Sequence, residues 1–362
     1  MDDDGANPQN LLEGGVPSAT LTGSDLPDGT ADPAFATPIM QNPRKRVKVI
    51  VNPTAGKKGG ITTNAAGAAD VVTALAQAGI QADVFETRSP DDGTVLAMEA
   101  ADEGYDMVVA CGGDGTTDEV AAGLIGSPMV LGIVPLGSAN NVARMLHIPD
   151  DVAGAVRLLH EGEVRCIDVG RIGGPHGRIF LETAGIGMDA ELFPLLNQLD
   201  RGAYMTLFEV LRTFLRARPH RMTLYLDRRR VRVRALMVLV ANGPYWGYAI
   251  PLAPDAKVND HRLDVVVFEN FSKWEFLRHI VTAFFGRGKR IDPQTGGTRD
   301  RRIYHPKQRY YRASKVRILS RRPIPVHGDA RLVAHTPVTI QIQSNALSVV
   351  VGRGEHVSTA GD

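Results

Sequence analysis

Cysteine is nearly absent from this chain. Cys111 and Cys166 are the only two in 362 residues, and their spacing builds neither a disulfide framework nor a metal site. Both sit in apolar or strand-like runs, so they read as buried thiols in a reducing compartment. Long apolar runs are missing too, and none is long enough to span a bilayer. The first forty residues hold no Lys or Arg. Without a basic start and an apolar block, they do not read as a secretory signal. A strong net charge is also absent: at +1, the whole-chain balance points to no partner. No internal repeat is visible.

The chain is long enough for about two domains with a sizeable core. Its opening carries Asp2, Asp3, Asp4, Glu13, Asp25, Asp28 and Asp32 among many Gly, Pro, Ser and Thr. Residues 1–44 are therefore expected to form a disordered acidic tail, with a second short tail over 353–362.

From about Arg46 short apolar runs alternate with helical patterns. Strands are expected at Val47 to Val51, Ala82 to Glu86, Tyr105 to Ala110 and Val130 to Val134, with helices between. Such alternation predicts a parallel sheet with helices on both faces, and ligands in such sheets bind at the carboxyl ends of strands. Three loops follow those strands. They are Asn52-Pro53-Thr54-Ala55-Gly56-Lys57, the run from Gly112 to Asp118, and Leu136-Gly137-Ser138-Ala139-Asn140-Asn141. The middle one, Gly112-Gly113-Asp114-Gly115-Thr116, turns from a strand into a helix, where outward-pointing backbone N–H groups suit phosphate. Asp114 would repel a phosphate unless a cation lay between them, and Mg²⁺ is the usual mediator.

After about Asp168 short strands follow one another and several alternate apolar with polar residues, as in Val231-Arg232-Val233-Arg234. This is the pattern of an antiparallel sheet or sandwich. A helical stretch near Ala203 to Leu215 interrupts it. Residues 271–322 carry fifteen Lys and Arg against three acidic residues. With Trp274, Phe276, Leu277, Ile280, Phe284 and Phe285 interleaved, this stretch reads either as a solvated basic face over a core helix or as a surface for anionic membrane. No nucleic-acid recognition motif accompanies it.

The three loops, with Val142-Ala143-Arg144 after the third, resemble the diacylglycerol kinase catalytic-domain family in order and spacing. Ala184-Gly185-Ile186-Gly187-Met188-Asp189-Ala190 and Ala253-Pro254-Asp255-Ala256-Lys257 extend the resemblance, which covers about residues 46–352 and is closest to the bacterial YegS/BmrU-like soluble lipid kinases. It implies an α/β nucleotide-binding domain of NAD kinase and diacylglycerol kinase type over 45–168, joined by a returning stretch near 338–352. A β-rich antiparallel sandwich domain over 169–337 would bear the lipid site. It further implies a cytoplasmic enzyme, peripheral at the inner membrane face, that transfers the γ-phosphoryl group of ATP with Mg²⁺ to a lipid hydroxyl of diacylglycerol, sphingoid or ceramide type. The pattern is compatible with a homodimer.

By the same resemblance Asn52, Thr54, Gly56, Thr87, Gly112, Gly113, Gly115, Thr116, Glu119, Gly137, Ser138 and Asn140 would hold the nucleotide. Asp114, Asp118, Asp168 and Asp260 would serve the metal, and Asp114 and Asp329 catalysis. Several residues depart from the family pattern. Asp118 stands where the family often has Asn, and Asn141 where it often has Asp, so one carboxylate moves between loops. The late Asp-Gly-Glu of the family, whose aspartate is the general base, meets His327-Gly328-Asp329-Ala330-Arg331 here. Holding the glycine fixed puts His327 on the base position. Counting back from Thr336-Pro337 puts Asp329 there without a gap and keeps a carboxylate. Arg331 then replaces Glu, and a cation beside the base would lower its pKa. Around Asp255, Asp260 and Asp264 the family has a structural Mg²⁺ site, but Asp260-His261-Arg262-Leu263 has lost its glycine and gained a residue, so a plain turn competes. Two rivals remain: a nucleotide-binding regulatory protein impaired in catalysis, and an NAD kinase, which shares the Gly-Gly-Asp-Gly-Thr run alone.

Overall fold

Val47–Val51, Ala82–Glu86, Met107–Gly112 and Val130–Pro135 (β1 to β4) are the four strands expected from the apolar runs. All but the edge strand β2 are buried along their full length, as a sheet covered on both faces requires. They pair in parallel in the order β2-β1-β3-β4. The computed structural model describes residues 46–58, 61–62, 67–192, 195, 206–285, 305, 307–329 and 331–352. The acidic tail 1–44, the tail 353–362 and the basic residues between 286 and 304 lie outside these.

Helices Ala68–Gln77, Asp92–Asp102, Asp114–Leu124, Asn141–Met145 and Val152–Glu161 (α1 to α5) connect and cover the strands. α2 packs on α3, and α1 on α5. α3 starts at Asp114, earlier than its apolar spacing suggests, because Gly113 turns the chain and its carbonyl accepts from Thr116 N and Thr117 N.

Glu163–Ile172, Arg178–Phe180, Thr183–Gly187, His220–Leu226 and Arg229–Ala241 (β5 to β9) open the second half. Leu263–Glu269, Gln308–Ala313, Lys315–Ser320, Pro325–Gly328, Arg331–His335 and Val338–Val351 (β10 to β15) complete it. Two helices, Thr206–Arg216 (α6) and Lys273–Phe285 (α7), interrupt the strands. The pairing in this half is antiparallel, and it sandwiches two cores by alternation, broken in β9 at a register shift between Ala235 and Val238. Val238 and Val240 of β9 enter one apolar cluster, while Met237, Leu239 and Ala241 enter another.

The two halves share one sheet of fifteen strands. β15 makes the junction: it runs parallel to β4 at Ser348 and Val349, and antiparallel to β5 and β12. The returning stretch near 338–352 is one long strand, with its register broken between Gln343 and Leu347. β5 contains Cys166 of the strand-like run, but its sequence, EVRCIDVGRI, has neither a clean apolar run nor clean alternation to mark its ends. Among the described residues no helix is long and apolar enough to cross a membrane.

Candidate active site

The three strand-end loops meet through backbone and short side chains. Asn52 accepts from Thr54 N and Oγ1 at 3.0 and 2.8 Å, forming an Asx turn, and donates to Thr116 Oγ1 at 3.2 Å. Leu136 N donates to Gly112 O at 2.8 Å, which draws the third loop against the second. The approach is so close that a Cβ on Gly137 would stand 2.5 Å from Gly113 Cα. Asn140 sits in the left-handed region at φ 50° and donates to Gly137 O.

Asp114 joins the second loop to the third. Its carboxylate accepts from Val142 N at 3.0 Å and from the neighbouring amides of Asn140 and Asn141. Asn141 donates to Glu182 Oε2 at 2.7 Å and to Gly247 O at 2.6 Å. Glu182 precedes β7, and the same bend supplies three amides to Asp329. Leu181 N, Glu182 N and Thr183 N donate to that carboxylate at 2.5, 3.1 and 2.9 Å. Asp329 follows β13 directly with a left-handed φ of 42°, and its side chain turns back onto that bend. Asp118, one turn into α3, hydrogen-bonds Asp329.

These groups line a cavity of about 920 Å³. The α/β half contributes Asn52, Gly113, Gly115, Thr116, Gly137 and Ser138 to its lining, and the sandwich half Glu182, Thr183, Trp246, Tyr248, Asp329 and Arg331. Four carboxyls, Asp114, Asp118, Glu182 and Asp329, stand together. Burial pushes Asp118 and Glu182 well above the ordinary carboxylate range, and mutual repulsion adds to it. Burial raises Asp114 and Asp329 as well, opposed by the amides that hold their charged forms. Asp118 and Asp329 interact directly, so these two buried carboxyls titrate as a coupled pair.

A magnesium ion fits this chemistry. Asp118 Oδ1 is buried and receives no hydrogen bond, and four clustered carboxyls need protons or a cation. Among the described residues no three carboxylates or imidazoles form a ready-made cage. That is ordinary for an ion that takes one or two carboxylates and completes its shell with water and substrate phosphate.

Asn52, Thr54, Gly56, Thr87, Gly113, Gly115, Thr116, Glu119, Gly137, Ser138, Asp114, Asp118 and Asp329 line the cavity. Gly112 and Asn140 do not. Gly112 lies beneath Thr116, which a Cβ would strike, and Asn140 is turned onto its own loop. Asp168 requires a correction. It is fully buried away from the cavity, where it accepts from His261 N at 2.6 Å, Asn345 N at 2.8 Å and the His261 ring at 3.0 Å. Asp260 also lies away from the cavity, where it accepts from Arg262 N and pairs with Arg312. His327 is buried on β13 with Nε2 2.6 Å from Asp189 Oδ2 and does not line the cavity, whereas Asp329 does. Glu182 was missed, although it stands just before the quoted Ala184 to Ala190 run.

An α/β half whose glycine loops face a β-sandwich half across an acidic cavity is the architecture of a phosphotransferase. Comparison with known proteins makes this specific. Residues 46–172 match the diacylglycerol kinase catalytic domain, and 183–351 match the YegS C-terminal NAD kinase beta sandwich-like domain. A diacylglycerol kinase of Bacillus subtilis (strain 168) is 31% identical over 261 residues, covering 69% of this chain and 82% of the relative. One from Staphylococcus saprophyticus is 28% identical over 285 residues, covering 76% and 86%. The fold resembles the crystal structure of a diacylglycerol kinase from Bacillus anthracis str. Sterne, with TM-score 0.64 and 22% identity, over 86% of this chain and 98% of that one. The chain belongs to the diacylglycerol kinase family and is a lipid kinase.

Proposed function

We propose that this enzyme moves the γ-phosphoryl group of ATP to the hydroxyl of a diacylglycerol-like lipid, with Mg²⁺, at the cytoplasmic face of a membrane. The observation that carries the reading is Asp329. A carboxylate held by three amides and bonded to Asp118 sits across one cavity from two glycine loops.

Gly113, Gly115 and Thr116 at the start of α3, with Gly137 and Ser138, present amides and hydroxyls for phosphate oxygens. Asn52 and Thr54 would close the nucleotide side. Asp329 would take the proton of the lipid hydroxyl as its oxygen bonds phosphorus and the bond to ADP breaks. Burial raises its pKa toward that of a useful base, and the amides of Thr183, Leu181 and Glu182 favour its charged form. Asp114 and Asp118 would hold Mg²⁺, which when bound neutralises phosphate charge and the acidic cluster. The apolar side chains of Trp246, Tyr248 and Ile250 on the sandwich side suit the acceptor's glycerol and acyl carbons.

The test is label transfer from γ-labelled ATP to dispersed short-chain diacylglycerol, with ceramide, a sphingoid base and NAD as parallel acceptors. Asp329→Asn should lower transfer by about 10²–10⁴-fold while nucleotide binding persists, the range for a lost general base. Full activity in that variant would remove Asp329 from the base position. Label in another acceptor would replace diacylglycerol.

A further inference from the structure

The outward face of a helix on a water-soluble surface is expected to be polar. Two helices here break that rule side by side. On α6, Leu207, Phe208, Leu211 and Leu215 are 60, 72, 51 and 49% exposed. On α7, Trp274, Leu277 and Val281 are 67, 41 and 46% exposed. The spacing 207, 211, 215 and 274, 277, 281 puts each set on one stripe. These are not core positions left bare, because the opposite face of α7 already fills the core with Phe276, His279 and Ala283. The stripes adjoin: the rings of Phe214 and Trp274 meet edge-on at 6.3 Å, and Lys273 Nζ donates to Leu215 O.

Charge says what covers this face. Arg212 and Arg216 follow Phe208 at helical spacing along one edge of the α6 stripe, and Arg278 follows Trp274 at the same spacing on α7. All three are exposed. Glu275 is neutralised by Lys307 at 2.8 Å, which leaves Glu209 as the acidic residue on α6. An apolar stripe edged by arginine, with aromatic anchors, is the pattern of helices that lie in a lipid interface. The face also connects to the site. Phe214 of α6 and Ile280 of α7 pack on the same apolar cluster as Trp246, which lines the cavity.

We propose that α6 and α7 together form the surface that docks this enzyme on an anionic lipid bilayer, with the apolar stripe entering the interface and Arg212, Arg216 and Arg278 meeting lipid phosphates. This deepens the proposed function and rests on it for the acceptor alone. A second copy of the chain is the competing occupant of the face.

The experiment is co-sedimentation with vesicles of phosphatidylglycerol and phosphatidylcholine, against pure phosphatidylcholine, for wild type, the double variant Phe208→Ser/Leu211→Asp, and Arg212→Glu/Arg216→Glu. Every substituted side chain is exposed, and far-UV circular dichroism checks folding. Wild type should favour the anionic vesicles. The apolar double variant should bind about ten-fold or more weakly at all salt concentrations. The arginine double variant should lose a similar factor at low salt and little at high salt. Transfer to dispersed short-chain diacylglycerol should be unchanged in both, while transfer to diacylglycerol in vesicles falls with binding. Vesicle binding undiminished in the apolar variant overturns the proposal. So does a wild-type dimer, seen by light scattering, that this variant converts to monomer without loss of vesicle binding. Loss of vesicle binding with no transfer to any diacylglycerol in wild type would sustain the docking face and overturn the acceptor instead.

Discussion

Arg331 Nη1 lies 2.7 Å from Oδ1 of Asp91, a residue 240 positions earlier, and its other Nη donates to Glu119. The guanidinium thus ties β14 of the sandwich half to the N-terminus of α2 and to α3. Its two ion pairs direct the Arg331 charge at Asp91 and Glu119. Burial raises Asp329, and the forces that lower it come from amides and Asp118. The residue that reverses the family's charge at this position makes a structural link at the cavity wall.

A charge swap tests that link. Arg331→Glu sets a carboxylate against Asp91 and Glu119. The Asp91 arm is exposed and is worth less than about 1 kcal/mol. Glu119 is 10% exposed in its side chain and loses its partner, so the expected cost is about 1–3 kcal/mol in urea unfolding. Adding Glu119→Arg should restore about 0.5–3 kcal/mol of it as coupling energy. Additive losses would mean that the pair is incidental.

Asp118 carries the second prediction. Its buried, unbonded Oδ1 and a pKa raised first by burial and then by its acidic neighbours make it the member of the cluster that gains most from a cation. Wild type with a non-hydrolysable ATP analogue should gain melting temperature on adding Mg²⁺. Asp118→Asn should lose most of that gain while its melting point without Mg²⁺ rises or holds, since one repelling acid is gone. An undiminished Mg²⁺ gain would return the ion to Asp114 and phosphate alone.

Much of this site was legible because its parts are local. β1, β3 and β4 are apolar runs, and each is followed at once by a loop whose glycines and asparagines name its turn. The placements that failed depend on distant partners. Asp168, expected to serve the metal, is instead held by His261 and Asn345, 93 and 177 residues further on, which supply its three donors. Glu182 joins the acidic cluster through Asn141, 41 residues earlier, and no short motif encodes that distance. Asp329 could be found because the count back from Thr336-Pro337 spans only a hairpin, β13 with β14.

His279 sets an acid limit on stability. It is 4% exposed on α7, with Nε2 3.0 Å from Gln308 Nε2 and the rings of Phe268, Phe271 and His305 around it. Burial first, and His305 second, hold it down to about 4. Its folded pKa lies below the unfolded value near 6.5, so the unfolded chain binds more protons between them. Stability from this group is present above pH 6.5 and is lost as pH falls toward 4, at up to about 1.4 kcal/mol per pH unit. His279→Gln should flatten the dependence of urea unfolding on pH in that window by about one proton. An unchanged slope would assign acid sensitivity elsewhere.

The glycines of the two facing loops should separate packing from ligand approach. A Cβ on Gly137 would stand 2.5 Å from Gly113 Cα and 2.7 Å from Asn140 Oδ1. Gly113 is backbone at the N-terminus of α3 and cannot swing aside, so Gly137→Ala must part the loops. It should cost about 1–3 kcal/mol, as overpacking does, and lower transfer as well. Gly115 differs: nothing lies within 4 Å of its Cβ direction, and it occupies the first turn of α3. Gly115→Ala should raise stability by about 0.4–1 kcal/mol through helix propensity and a less flexible unfolded chain. If that open space is where phosphate approaches the amides, the same variant should weaken nucleotide binding in calorimetry while melting higher. A Gly115→Ala enzyme that is both more stable and fully able to bind nucleotide would move the phosphates off the start of α3 and onto the Gly137–Ser138 loop.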